Sequence, residues 1–124
     1  MANSKEKGKK GEDIALDFLL KRGYILLERN WNFRRCEVDL IMMFEGKIVL
    51  VEVKYRKHKG TIELYQVFRP KQMKNLLKAA NFYLSNNKLE NEVQIDLLFI
   101  QDDQNKSYRF THIPNAIFPE VNQF

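Results

Sequence analysis

The chain has 124 residues, 44% of them hydrophobic, which is enough for one domain with a real core. Five glycines and three prolines argue against low complexity or extended linkers, and no apolar stretch approaches the ~20 residues needed to cross a bilayer. A net charge of +5 and a pI near 9.3 favour an anionic partner, with plain solubility as the alternative. The single cysteine, Cys36, excludes an internal disulfide, and the amino terminus has no signal-peptide pattern, so a cytoplasmic protein with no membrane segment is expected.

Residues Met1 to Lys9 are polar and basic and read as a flexible arm, with the domain proper expected over 10–118 and a short tail over 119–124. From Lys10 to Arg22 the spacing is helical, and Gly23 supplies a stop. Asp13, Asp17 and Lys21 form a polar stripe, whereas Glu12 shares a face with Ala15, Leu16 and Leu19. Tyr24 to Trp31 reads as a first strand, followed by a basic connection through Arg34 and Arg35. Glu37 to Phe44 and Lys47 to Tyr55 read as two strands joined by a tight turn at Glu45-Gly46.

A loop opens at Arg56-Lys57-His58-Lys59-Gly60 and reaches to about Arg69. Pro70 suits the first turn of a second helix running to Ser85, with Met73, Leu76, Leu77, Ala80 and Leu84 facing the sheet. Lys71, Lys74 and Lys78 form a separate basic ridge on it. Val93 to Ile100 is a fourth strand and Tyr108 to Ile113 a fifth, across a polar turn at Asp102 to Lys106. The order α-β-β-β-α-β-β predicts an α/β domain: one mixed central sheet flanked by helices.

The chemistry concentrates at the end of the apolar run Lys47-Ile48-Val49-Leu50-Val51, where Glu52-Val53-Lys54 follows. Carboxylates and ammonium groups are almost never buried unless paired or bound to metal. If Phe44 pairs with Lys47, counting outward places Asp39 opposite Glu52 and Glu37 opposite Lys54. Opposed side chains have roots roughly 5 Å apart, a destabilising distance for like charges. A divalent cation held between Asp39 and Glu52 resolves the conflict, and an all-oxygen site suits Mg2+, with Mn2+ as a substitute. Phosphodiester hydrolysis needs such a cation, and a positive side chain such as Lys54 near the developing charge. A plain surface arrangement of Glu52 and Lys54 on an edge strand is the alternative, and the run through Val51 argues against it by being apolar on both faces.

An acidic residue on one strand and Glu-x-Lys on the next resembles the PD-(D/E)xK nuclease superfamily. Over residues 8–118 the chain more closely resembles the YraN-like family of small bacterial proteins, similar in fold to archaeal Holliday-junction resolvases. The stretches that carry the likeness include Gly11-Glu12-Asp13-Ile14-Ala15, Glu37-Val38-Asp39-Leu40-Ile41, Val51-Glu52-Val53-Lys54-Tyr55-Arg56 and Ile95-Asp96-Leu97-Leu98-Phe99-Ile100. Cys36 departs from it, standing where many relatives carry glycine. The resemblance implies a restriction-endonuclease-like fold with a nuclease site at Asp39, Glu52 and Lys54. It also implies a glutamate on the first helix that completes the site, a role that falls on Glu12. The backbone carbonyl of Val53 is a further candidate ligand. For Glu12 the competing role is a helix-start carboxylate favoured by the helix dipole.

Glu37 is a supporting candidate for pairing with Lys54 and steering it without binding metal, against plain surface placement, which is the alternative to be expected first. Arg34, Arg35, Arg56, Lys57, Lys59, Lys71 and Lys74 are candidate phosphate contacts that give salt-sensitive, sequence-independent affinity, against a merely solvated surface. His58 and His112 read as structural, and Trp31 and Phe33 as core in preference to base-stacking surfaces. The reading that results is a Mg2+-dependent endonuclease acting on DNA, branched or repair intermediates included. The alternative is a non-catalytic nucleic-acid-binding or adaptor protein on the same scaffold. By analogy, cutting two strands symmetrically would suit a homodimer.

Overall fold

In a computed structural model of the protein, residues 4–57, 69–103, 105 and 107–116 are described. Helix α1 (Ser4–Leu20) leads into β1 (Ile25–Phe33), β2 (Cys36–Phe44) and β3 (Lys47–Lys57). Helix α2 (Pro70–Asn86), β4 (Val93–Asp102) and β5 (Tyr108–Ile113) follow. The five strands form one sheet in the order β1-β2-β3-β4-β5. All pairs are antiparallel except β3–β4, whose parallel pairing requires a crossover that α2 supplies. This is the mixed α/β architecture, and the element order, read from the sequence.

Helix α1 begins at Ser4, so residues 4–9 of the expected flexible arm are helical. Lys and Glu are good helix formers, and only Gly8 interrupts them ahead of Lys9. The expected tail, 119–124, and His58 and Lys59 of the expected loop lie outside the described residues. The hairpin register is as predicted, Phe44 pairing with Lys47 and Met43 with Ile48. Glu45 (φ 51°) and Gly46 (φ 77°) both take the left-handed conformation that a two-residue hairpin turn demands.

The sheet is buried on both faces. Ile48, Leu50, Ile95, Leu97 and Phe99 pack under Met73, Leu76, Ala79, Ala80 and Tyr83 of α2. Val49, Val51, Leu98 and Ile100 pack under Ala15 and Leu19 of α1. Alternation along β3 and β4 therefore supplies two apolar layers, which is why these strands read as unbroken hydrophobic runs. Trp31 meets Tyr83 edge-on at 5.3 Å and Phe33 stacks on Phe82 at 4.5 Å, so both rings pack against α2.

Strand β2 breaks the rule of alternation. Val38 joins the α2 layer and Leu40, two residues on, the α1 layer, so the strand rotates at Asp39. The partner strand adjusts at the same level: Arg29 and Trp31 pair with Leu40 and Val38, and Asn30 between them has φ 53°. Asparagine tolerates that left-handed conformation better than most residues.

Asp96 is fully buried in β4 and ties the far end of the sheet together. It accepts hydrogen bonds from Tyr24 Oη (2.6 Å), Gln94 Nε2 (2.8 Å) and the Asn115 backbone N–H (3.0 Å). His112 Nε2 lies 2.8 Å from its Oδ2, which gives that histidine the structural role expected of it. Burial pushes the Asp96 carboxyl up, but the bonds from His112, Tyr24, Asn115 and Gln94 outweigh it and hold the group below its ordinary value. Among the described residues no helix is long and apolar enough to cross a membrane.

Candidate functional site

Backbone pairing between β2 and β3 ends at Leu40–Val51, one step short of Asp39 and Glu52. There the Val53 backbone N–H donates to Asp39 Oδ2 at 2.9 Å. A side-chain oxygen thus accepts from the strand where the ladder no longer does, fixing the carboxylate at the fork between the strands. Glu52 turns toward α2. Gln72 Nε2 donates to Glu52 Oε1 at 2.7 Å, and Lys54 Nζ lies 3.4 Å from the same oxygen. The Glu52–Lys54 pair is almost entirely out of solvent on the glutamate side, since Glu52 is only 6% exposed.

Glu12 reaches this fork from α1. Its neighbour Gly11 is buried against Tyr55, and a Cβ on Gly11 would stand 2.7 Å from Tyr55 Cβ. Only glycine lets the helix pass so close to β3, and that approach brings the next residue over the cleft. Arg29 of β1 holds Glu12 from the other side, its Nε 3.6 Å from Glu12 Oε1, while its terminal nitrogen binds Asp13.

One ligand atom from each of Glu12, Glu37 and Asp39 lies within 4.8 Å of the others. Glu37 therefore belongs to the carboxylate group. Its candidate pairing with Lys54 is not formed, because the rotation of β2 at Asp39 carries Glu37 toward Glu12, and Lys54 pairs with Glu52 instead. Asp39, Glu52, Val53, Lys54 and Glu12 line one cavity of about 510 Å³.

Electrostatics show the strain of this arrangement. Burial raises the Asp39 carboxyl; the Val53 hydrogen bond and Lys54 oppose the rise, and Glu12 and Glu37 add to it. Glu52 is raised first by burial and then by Asp39, against the pull of Lys54 and Gln72. Burial, with Glu52 and Asp39 behind it, also pushes up the Cys36 thiol, which suits an inert cysteine. The hard oxygen donors grouped here are those of Asp39, Glu12 and Glu37, and they fit a divalent cation of the Mg2+ or Mn2+ kind, whereas Glu52, expected to share the ion with Asp39, stands outside the group with its Oε1 held by Gln72 and Lys54.

The basic candidates divide. Arg56 and Lys57 line the first cavity. Arg35, Arg56 and Lys71 line a second one of about 730 Å³, which shares Glu52, Lys54 and Arg56 with the first. Arg34 sits over the Phe33 ring at 5.2 Å, and Lys74 stands half-buried on α2 outside both cavities.

Two neighbours of the acids escaped the sequence reading. Gln72 stands one residue before Met73 and four before Leu76, so it belongs to the sheet-facing stripe of α2. Arg29 carries no such signal, since the bulge between Leu26 and Glu28 shifts the register of its strand.

A family model described as "Uncharacterised protein family UPF0102" matches residues 11–100, a span that contains all five of Glu12, Glu37, Asp39, Glu52 and Lys54. A UPF0102 protein of Flavobacterium psychrophilum is 34% identical over 118 residues, covering 95% of this chain and 98% of its own. One from Bacteroides thetaiotaomicron is 29% identical over 98% of this chain and 99% of its own. A UPF0102 protein of Neisseria meningitidis serogroup B is 37% identical over 77% of this chain and 84% of its own. The chain belongs to the uncharacterised protein family UPF0102.

Proposed function

We propose that this protein is a divalent-metal-dependent endonuclease that hydrolyses phosphodiester bonds in nucleic acid, DNA above all. The observation that supports the reading is the meeting of Glu12, Glu37 and Asp39 within 4.8 Å at the fork where Lys54 and Glu52 emerge. Asp39, Glu12 and Glu37 would hold Mg2+ or Mn2+, with Glu52 and the Val53 carbonyl as further oxygen donors at the same cavity. When bound, such a cation supplies Lewis acidity toward a phosphate oxygen and lowers the pKa of a water.

The residues themselves do the rest. Lys54 carries positive charge into the cleft where negative charge develops on the phosphate. Gln72 and Lys54 hold the Glu52 carboxylate in place, and the Val53 N–H holds Asp39. Arg35, Arg56 and Lys71 line the approach and bind backbone phosphates.

The test is incubation of the purified protein with branched, nicked and linear DNA, with and without Mg2+ or Mn2+, beside Asp39→Asn and Glu52→Gln. Metal-dependent cutting that both variants lose supports the nuclease. Salt-sensitive binding with no cutting of any substrate, indifferent to metal and to Asp39→Asn, supports an adaptor and overturns it.

A further inference from the structure

The second cavity continues away from the acids into a third of about 330 Å³, the two sharing Arg35, Cys36 and Asn75. Among the described residues this third cavity is lined by three cations, Arg34, Arg35 and Lys78, and by no acid. Its apolar wall is Phe33, whose ring stacks on Phe82 at 4.5 Å and lies under the Arg34 guanidinium. Phe82 sits four residues after Lys78 on α2 and remains 42% exposed, an unusual fraction for phenylalanine. A single trough therefore runs from the carboxylates, past Arg35 and Lys71, to an aromatic and guanidinium platform.

We propose that this trough binds an unpaired nucleic-acid strand, seating a base on the Phe33–Phe82–Arg34 platform while Arg35, Lys71 and Lys78 hold its phosphates. The inference deepens the reading of the acidic cleft as a nucleic-acid site, on which it rests, and names its substrate class: molecules with unpaired nucleotides beside the cut. A duplex buries the faces of its bases in its own stack and offers only phosphates to a flat surface. The exposed part of Phe82 at the end of a basic groove offers a stacking surface that unpaired bases can use, and such platforms are tolerant of sequence. An Arg guanidinium beside the rings adds cation–π attraction.

The experiment is fluorescence anisotropy in EDTA with a single-stranded DNA oligonucleotide longer than the ~4–16 nucleotides such a groove covers. The blunt duplex and the RNA strand of the same sequence serve as further arms. Single strands are expected to bind at least about tenfold more tightly than the duplex. Phe82→Ala should weaken single-strand binding about tenfold with little effect on the duplex, and Lys78→Glu should weaken single-strand binding about tenfold through a lost phosphate contact. Lys78 is exposed, so its variant keeps the test valid even if Phe82→Ala disturbs packing. The RNA arm reports whether the sugar matters. Equal or tighter duplex binding, or Lys78→Glu that binds like wild type, overturns the proposal. Because metal is absent, the outcome is separable from catalysis: strand preference without any metal-dependent cutting defeats the nuclease alone. Rapid cutting of blunt duplex by wild type and Phe82→Ala alike defeats the strand path alone.

Discussion

The Val53 backbone N–H donates to Asp39 Oδ2 across the fork between β2 and β3, so the carboxylate that anchors the acidic cluster is fixed by main chain. Main chain moves little when side chains change. The bond therefore survives Asp39→Asn, whose amide oxygen can still accept, and is lost in Asp39→Ala. An unmet N–H in a part-buried site costs about 1–3 kcal/mol. Asp39→Ala should thus be less stable than Asp39→Asn in urea denaturation, while both abolish metal-dependent cleavage.

Stability without metal should depend on pH in an uncommon direction. Burial raises both groups, with Glu12 and Glu37 adding to Asp39 and Asp39 adding to Glu52, to about 6 for Asp39 and about 7 for Glu52. In the unfolded chain both lose their protons near pH 4. Over that window the folded state holds more protons than the unfolded one, so stability falls as pH rises from about 4 to about 7. The loss should be about 3–6 kcal/mol, read by denaturation in EDTA at the two ends. The double variant Asp39→Asn/Glu52→Gln should flatten the profile, and added Mn2+ should restore stability at the alkaline end.

Lys54 is expected to act on charge and not on metal. Replacing it with Met should lower cleavage by about 10²–10³-fold, the usual cost of removing a preorganised positive or donor group. Mn2+ affinity measured by calorimetry should persist. Loss of metal binding in Lys54→Met would place the residue in a different role.

Two glycines in α1 should behave oppositely. Gly8 has nothing within 4 Å of where a Cβ would stand, so Gly8→Ala should stabilise the protein by about 0.5–1 kcal/mol through helix propensity. Gly11→Ala should destabilise by about 1–3 kcal/mol, the typical cost of overpacking, because Tyr55 occupies the space. It should also reduce cleavage by displacing Glu12. Thermal melts and cleavage rates on the same preparations check both.

Asp96→Ala should unfold much of the protein, at a cost of about 3–5 kcal/mol, because its burial leaves four bonding groups without an acceptor. The Asp96 carboxyl lies below its ordinary value, so its contribution is present above about pH 4 and disappears as pH falls further. Whatever remains folded should keep its cleavage rate per molecule.

The strands and α2 were legible because alternation, the Glu45-Gly46 turn and Pro70 agreed with one another. Counting outward from the hairpin also put Asp39 and Glu52 at one level. It failed at the final step, since a regular ladder cannot foresee the rotation of β2 that turns Val38 and Leu40 to opposite layers. Glu37 lacks the pairing with Lys54 for that reason, and stands exposed as the surface alternative expects. Asp96 could have been found: it is the one charge in the run Val93 to Ile100 that α2 and α1 cover. Arg29 lay beyond reach, because its meeting with Glu12 depends on how two elements dock.

The contact at Gly11 has a last implication. Glu12 is delivered by a rigid rod clamped to the sheet, not by a loop free to adjust. Its reach is consequently set by the thickness of a seam that contains no side chain on the helical half. Shape at one backbone position thus governs where the charge at the next one is placed.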